Sequence, residues 1–251
     1  MSRKVRLTML VLAISVLASG CGYMDKAGNL DRSGIWGKFV GLVYDTMNYF
    51  YDLIGDYGVA IIIVTLIVRL LTFPLMMKQI RYSKVMQQLS PELAKIREKY
   101  KDNKEKVQQE TMKLFQQYKI NPLAGCFPMV IQMPILVALY QSINANKELQ
   151  HHDFLGILSL SSTHSTENII LAVLAAGTTY LQSKMSMTNK DANTKMMLTV
   201  MPLMIAFFTW QFPAALGLYW IVSNCFTIVQ TYFTRGIKAA PITPAQGGKT
   251  K

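Results

Sequence analysis

Apolar residues in this chain gather into long runs separated by short polar stretches, and the runs have the length of membrane crossings. The clearest, 57–77, reads YGVAIIIVTLIVRLLTFPLMM and contains one fully charged residue, Arg69. Arg69 lies eight residues inside Met77. At the helical rise this is about 12 Å deep in a half-core of about 15 Å. Four further runs, 122–143, 168–187, 196–212 and 213–233, predict four more spans. Residues 144–167 and 188–195 are read as loops. Pro74, Pro128, Pro134 and Pro202 fall within the runs. They predict kinks, or freed carbonyls that must find partners or line a cavity.

The flanking segments set the orientation. Residues 1–20 have the form of an export signal: Arg3, Lys4 and Arg6 precede the apolar run Leu7 to Ala18, followed by Ser19 and Gly20. Cys21 completes a lipobox-like Leu-Ala-Ser-Gly-Cys, with Ala18 where leucine is usual, and is the expected acylated residue. Residues 21–56 then begin outside the cytoplasm, and Tyr44 to Ile54 predicts an amphipathic helix along the outer interface. Between Lys78 and Lys119 stand eleven Lys or Arg against five acids, which marks this stretch as cytoplasmic. Residues 78–121 predict a helical hairpin. Ser90-Pro91-Glu92 supplies a helix start, Leu93, Ile96 and Tyr100 one stripe, and Val107, Leu114, Phe115 and Tyr118 another. The tail, 234–251, carries Arg235, Lys238, Lys249 and Lys251 and no acid. The fold class is therefore all-α integral membrane: five transmembrane helices, start outside and end inside, with a cytoplasmic helical hairpin.

Composition agrees with this reading. The 51% hydrophobic content belongs in spans, and the net charge of +12, which in a soluble protein would suggest nucleic acid, sits in the cytoplasmic segments. Cys126 and Cys225 lie in apolar runs with no CxxC pair, so they read as small hydrophobes. His151, His152 and Asp153 adjoin one another in an external loop without a second cluster, so no metal site is expected.

Polar residues within the spans fall mostly toward the cytoplasmic half: Arg69, Thr72, Gln182, Ser183, Asn224, Thr227 and Gln230, with Gln132 and Gln141 extending the set. Each alone reads as interhelical hydrogen-bond glue, worth about 0.6 to 2 kcal/mol. As a set they read differently, because no span offers Arg69 an Asp or Glu. Snorkelling to the nearer phosphates is one solution for such a charge; a water-filled recess, wet from the cytoplasm, is the other. Such a recess would attract an acidic segment of another chain and shorten its path through lipid.

The same residues carry a family resemblance. Gly125-Cys-Phe-Pro-Met-Val-Ile-Gln-Met-Pro134, Phe212-Pro-Ala-Ala-Leu-Gly-Leu-Tyr-Trp-Ile-Val-Ser-Asn224 and Ile67-Val-Arg-Leu-Leu-Thr-Phe-Pro-Leu75 resemble YidC-type membrane protein insertases (the YidC/Oxa/Albino family). The lipobox, the five spans and the lack of a large external domain resemble its Gram-positive, SpoIIIJ-like branch. The resemblance implies five helices around a hydrophilic groove open to cytoplasm and lipid and closed outside. It places the groove arginine on Arg69, groove-lining positions on Gln182 and Trp220, and the hairpin on 79–121. It also implies nascent membrane proteins as substrates, work alone or beside the Sec translocon, delivery from ribosomes, contact with membrane lipids, and no nucleotide or other cofactor. Neither DNA nor a small-molecule substrate is implied. An anion transporter or channel using Arg69 is the alternative, although such folds usually show internal repeats and none is visible. An enzyme would need a motif such as GxSxG or HExxH, and neither occurs.

Overall fold

A computed structural model of the chain describes residues 30–118, 120–121, 127–186, 192–234 and 236, with side chains throughout these except at 127–129 and 192–197. The expected signal segment, Cys21, Cys126, residues 188–191 of the expected loop and nearly all of the tail lie outside the described residues; residues 192–195, expected in that loop, are helical. Within them the chain is all-helical apart from one two-residue strand pair. The helices are α1 (Gly34–Ile54), α2 (Tyr57–Lys99), α3 (Lys104–Gln117), α4 (Phe127–Ala145), α5 (Thr166–Ser186), α6 (Ala192–Gln211) and α7 (Ala214–Thr234). Among the described residues, α2 and α7 are long and apolar enough to cross a membrane, and Val130–Ala145 and Leu198–Gln211 are shorter apolar stretches.

Helix α1 begins ten residues before the predicted Tyr44. Val40 and Met47 are fully buried, Val43 and Phe50 pack beside them, and Trp36 donates its indole N–H to Gln141 on α4 at 2.9 Å. This stripe at i, i+4, i+7, i+11 and i+14 holds the helix against α4. On an adjoining face Ile35, Leu42, Tyr49 and Leu53 are exposed. Gly55 ends α1 in the left-handed conformation at φ 79°. Asp56 then caps α2, its carboxylate accepting from the Val59 N–H at 3.0 Å.

The predicted helix start at Ser90-Pro91-Glu92 is not one: α2 runs unbroken through Pro74 and Pro91 to Lys99. A proline inside a helix costs about 3 kcal/mol. Burial offsets this at Pro91, because Leu89 and Leu93 on either side of it pack against Leu114 and Phe115 of α3, with Met86 and Ile96 alongside. Span and hairpin stem are thus one rod. Tyr118 closes the hairpin by donating its hydroxyl to Glu92 at 3.0 Å. Tyr100 and Val107 do not join this core. Tyr100 lies at the turn, with the ammoniums of Lys99 and Lys106 5.4 and 5.3 Å from its ring centroid. The stem also reaches the ends of two other helices: Lys84 donates to the Thr234 carbonyl of α7 at 2.9 Å, and Gln87 to that of Ser186 of α5 at 3.5 Å. Both serve C-terminal carbonyls left without helical partners.

The opposite end of the bundle is packed shut. Residues 144–167 are not a loose polar loop: Leu149 and Leu160 are fully buried in one apolar core with Met47, Tyr57, Ile61, Val64, Leu139, Ile143, Leu216 and Tyr219. A short antiparallel pair, Asp153–Phe154 with Leu158–Ser159, presents Phe154 to Gly58 so closely that a Cβ there would lie 2.1 Å from the ring. The loop also serves the start of α7, where the Ala214 and Ala215 N–H groups donate to the carbonyls of Ser162 (3.0 Å) and Leu160 (2.9 Å). Asn168 ties α5 to the same corner, donating to the Ser162 and Phe212 carbonyls at 3.0 and 3.2 Å.

Candidate functional site

The packed end stops one turn short of Arg69. On α2 the last buried residues before the hairpin core are Val64 and Thr65, and none from 66 to 88 is buried. That unburied stretch covers more than 30 Å of helix. On α7 the buried face changes character at the same region, from Ala214 to Tyr219, which are apolar or aromatic, to Ser223, Asn224, Thr227, Gln230 and Thr234. Helix α5 follows the same order past its buried corner residue Asn168, with Leu171, Ala172 and Ala175 buried next and Thr179 and Ser183 beyond. A closely packed cap therefore gives way to a more polar interior, and Arg69 stands at the transition.

The Arg69 guanidinium donates from Nη2 to the Gln132 carbonyl oxygen at 3.4 Å, and the Gln132 amide N–H₂ donates to the Tyr219 hydroxyl. Arg69 is half-buried, and no described carboxylate lies within ion-pair reach of it. The contact spans α2, α4 and α7. A neutral amide and a phenol orient the guanidinium and leave its charge uncompensated. Thr72, one turn further toward the hairpin, directs its hydroxyl to its own helix, to the carbonyls of Val68 (2.8 Å) and Arg69 (3.3 Å).

The remaining expected residues separate into distinct places. Asn224 donates to the hydroxyls of Thr178 and Thr179 at 3.1 and 2.8 Å, the hydrogen-bond seam between α7 and α5. Thr227 is buried and donates to the Ser223 carbonyl at 2.9 Å. Ser183 is buried on the same seam, and Gln182 beside it is half-buried. Trp220 packs against the capped apolar core next to Tyr219. Gln230 is buried with both amide atoms lacking a partner. Gln141 does not join the set. It is nine residues from Gln132, about 13 Å along α4, and is fixed at the capped end by Trp36.

Sequence reasoning missed Tyr219, Thr178 and Thr179 as partners. Tyr219 is absent from the expected polar set, although a buried tyrosine usually keeps a polar partner for its hydroxyl. His152, by contrast, has a packing role: its ring meets Tyr51 and Tyr57 edge-on at 5.5 Å, and it lies 3.9 Å from Asp56.

The chain as a whole is similar to known proteins. A crystal structure described as active YidC insertase with the first transmembrane domain resolved superposes with a TM-score of 0.68 at 29% identity, over 80% of this chain and 47% of that longer one. The membrane protein insertase MisCA of Bacillus subtilis is 42% identical over 100% of this chain and 99% of its own length. YidC 1 of Halalkalibacterium halodurans, also a membrane protein insertase, is 41% identical over the whole of both chains. The family model for the 60Kd inner membrane protein matches residues 49–240. With the cap, the lone arginine and these full-length likenesses together, the chain belongs to the YidC family of bacterial membrane protein insertases, in its Gram-positive branch.

Proposed function

We propose that the chain inserts nascent membrane proteins through a hydrated recess whose floor is Arg69, closed toward the outside by the packed cap and open toward the cytoplasm. The observation that carries this reading is the uncompensated guanidinium, oriented by Gln132 and Tyr219 at the edge of a dry apolar layer. A charge so placed is costly in hydrocarbon and calls for water and a passing anion. Arg69 lies about 18 Å along α2 from Tyr57, deep within a core about 30 Å thick. An acidic tail of a client that reaches it has only the capped layer left to cross.

In this reading five helices span the membrane (α2, α4, α5, α6 and α7), with the hairpin and tail in the cytoplasm, where their basic residues favour them. Helix α1 lies along the outer interface, its exposed Ile35, Leu42, Tyr49 and Leu53 toward lipid, and acylated Cys21 anchors the segment before it. The basic hairpin is the surface for ribosome-borne chains, and the insertase works alone or beside the Sec translocon. The seam of Asn224, Thr227 and Ser183, with Gln182 and Trp220, forms the wall along which clients pass.

Liposomes containing only this protein are expected to insert a single-span client with an acidic external tail, without ATP or any other protein. No insertion above empty liposomes would contradict the proposal. Anion flux through the same liposomes would instead favour a transporter that uses Arg69 as its site.

A further inference from the structure

Between the middle of α2 and the C-terminal end of α7 lies a pocket of about 310 Å³ lined by Phe73, Phe226, Val229, Gln230, Phe233 and Thr234. Its walls are apolar except at one end, and they open outward: Val229 and Phe233 are 54% and 78% exposed. Gln230 is the exception within the wall, 5% exposed with neither amide atom hydrogen-bonded among the described residues. A buried amide without a partner is unfavourable, and native structures satisfy nearly all such groups. At the rim, the Lys84 ammonium stands 2.9 Å from the carbonyl of Thr234, itself a lining residue. Lys78 and Arg81 are exposed on the same stretch of α2.

Depth orders these groups. Phe73 lies about 24 Å and Lys84 about 40 Å along α2 from Tyr57, so the pocket straddles the inner boundary of a core about 30 Å thick. From the membrane inward to the cytoplasm the order is therefore the rings of Phe73 and Phe226, the lone amide of Gln230, then Phe233 beside Thr234 and the Lys84 cation. A phospholipid of the cytoplasmic leaflet has the matching order of acyl chain, glycerol ester and phosphate.

We infer that this pocket binds one anionic phospholipid, acyl chain against Phe73 and Phe226, ester carbonyl accepting from the Gln230 amide, and phosphate facing Lys84 past the ring of Phe233. The terminal torsions of Gln230 turn the amide toward the ester when lipid enters, which is a soft two-fold rotation. The site begins one turn beyond Arg69, since Phe73 is four residues further along α2, and it joins α2 to the end of α7 near where the hairpin meets the bundle. It rests on the membrane placement proposed above, yet its test involves no client, so it can fail while insertion stands.

Native mass spectrometry of the full chain released from detergent, titrated with phosphatidylglycerol or with phosphatidylcholine of the same acyl chains, tests it. The first phosphatidylglycerol is expected to bind about fivefold more tightly than the first phosphatidylcholine, the gain from one basic residue near an anionic group. Lys84→Gln should erase that preference while leaving a lipid bound. Val229→Trp, at an exposed wall position that tolerates bulk, should fill the pocket and abolish the tight site for both lipids. Gln230→Leu should weaken both lipids alike without lowering thermal stability. First-lipid affinity unchanged in Val229→Trp overturns the site. A wild type indifferent to headgroup overturns the anionic assignment. Displacement of the tight lipid by an apolar client helix overturns it too, in favour of a client-binding pocket.

Discussion

Arg69→Ala is expected to lower the insertion of a single-span client with an acidic tail about thirtyfold at equal abundance in liposomes. At an effective dielectric near 20, a carboxylate about 4 Å from the guanidinium gains about 4 kcal/mol before desolvation. If desolvation offsets half, about 2 kcal/mol remains, a factor of roughly thirty in partition. Arg69→Lys should stay within about threefold of wild type, because charge matters more than the planar fork when the partner is a mobile tail. A client with an uncharged tail should barely distinguish the three proteins. Equal insertion of the acidic client by the alanine variant would remove the electrostatic role of Arg69.

Gln132→Glu is the second large effect, and it acts by occupation of the site. The substitution preserves volume and replaces the oxygen that now accepts from Arg69 at 3.4 Å with a carboxylate. A resident charge then competes with every acidic client, so insertion should fall about as far as in Arg69→Ala, on the order of tenfold or more. Thermal stability should hold or rise, since a half-buried cation acquires a counter-ion. That combination separates the effect from misfolding. Wild-type insertion by the glutamate variant would mean that Arg69 and Gln132 do not meet in the working protein.

How far these features could be read from the sequence depends on the kind of force involved. The apolar runs of α2 and α7, the two described helices long and apolar enough to cross a membrane, are legible, and Arg69 stands out because a charge within an apolar run needs no partner to be conspicuous. Features set by packing between distant segments are not legible. Pro91 looked like a first-turn proline because the local signals said so, while the stripe from Met86 through Leu89 and Leu93 to Ile96 carried the helix past it. The start of α1 was legible in principle: Trp36, Val40 and Val43 continue the spacing that Met47 and Phe50 begin. The loop at 144–167 appeared polar by count, yet three of its residues, Leu149, Phe154 and Leu160, build the cap. Gln132 and Gln141 share a helix and a residue type, and only the positions of Tyr219 and Trp36 on other helices separate their roles.

The central claim is that the space beside Arg69 is wet from one side and sealed from the other. Thr72 sits one turn toward the hairpin and is partly exposed. A Thr72→Cys substitution, with Cys126 and Cys225 replaced by Ala, can be treated with a membrane-impermeant maleimide in vesicles of either orientation. The expected result is rapid labelling with reagent on the cytoplasmic face and none with reagent on the external face. Protection from both faces until detergent is added would mean a dry, filled interior around Arg69, and the recess would not exist.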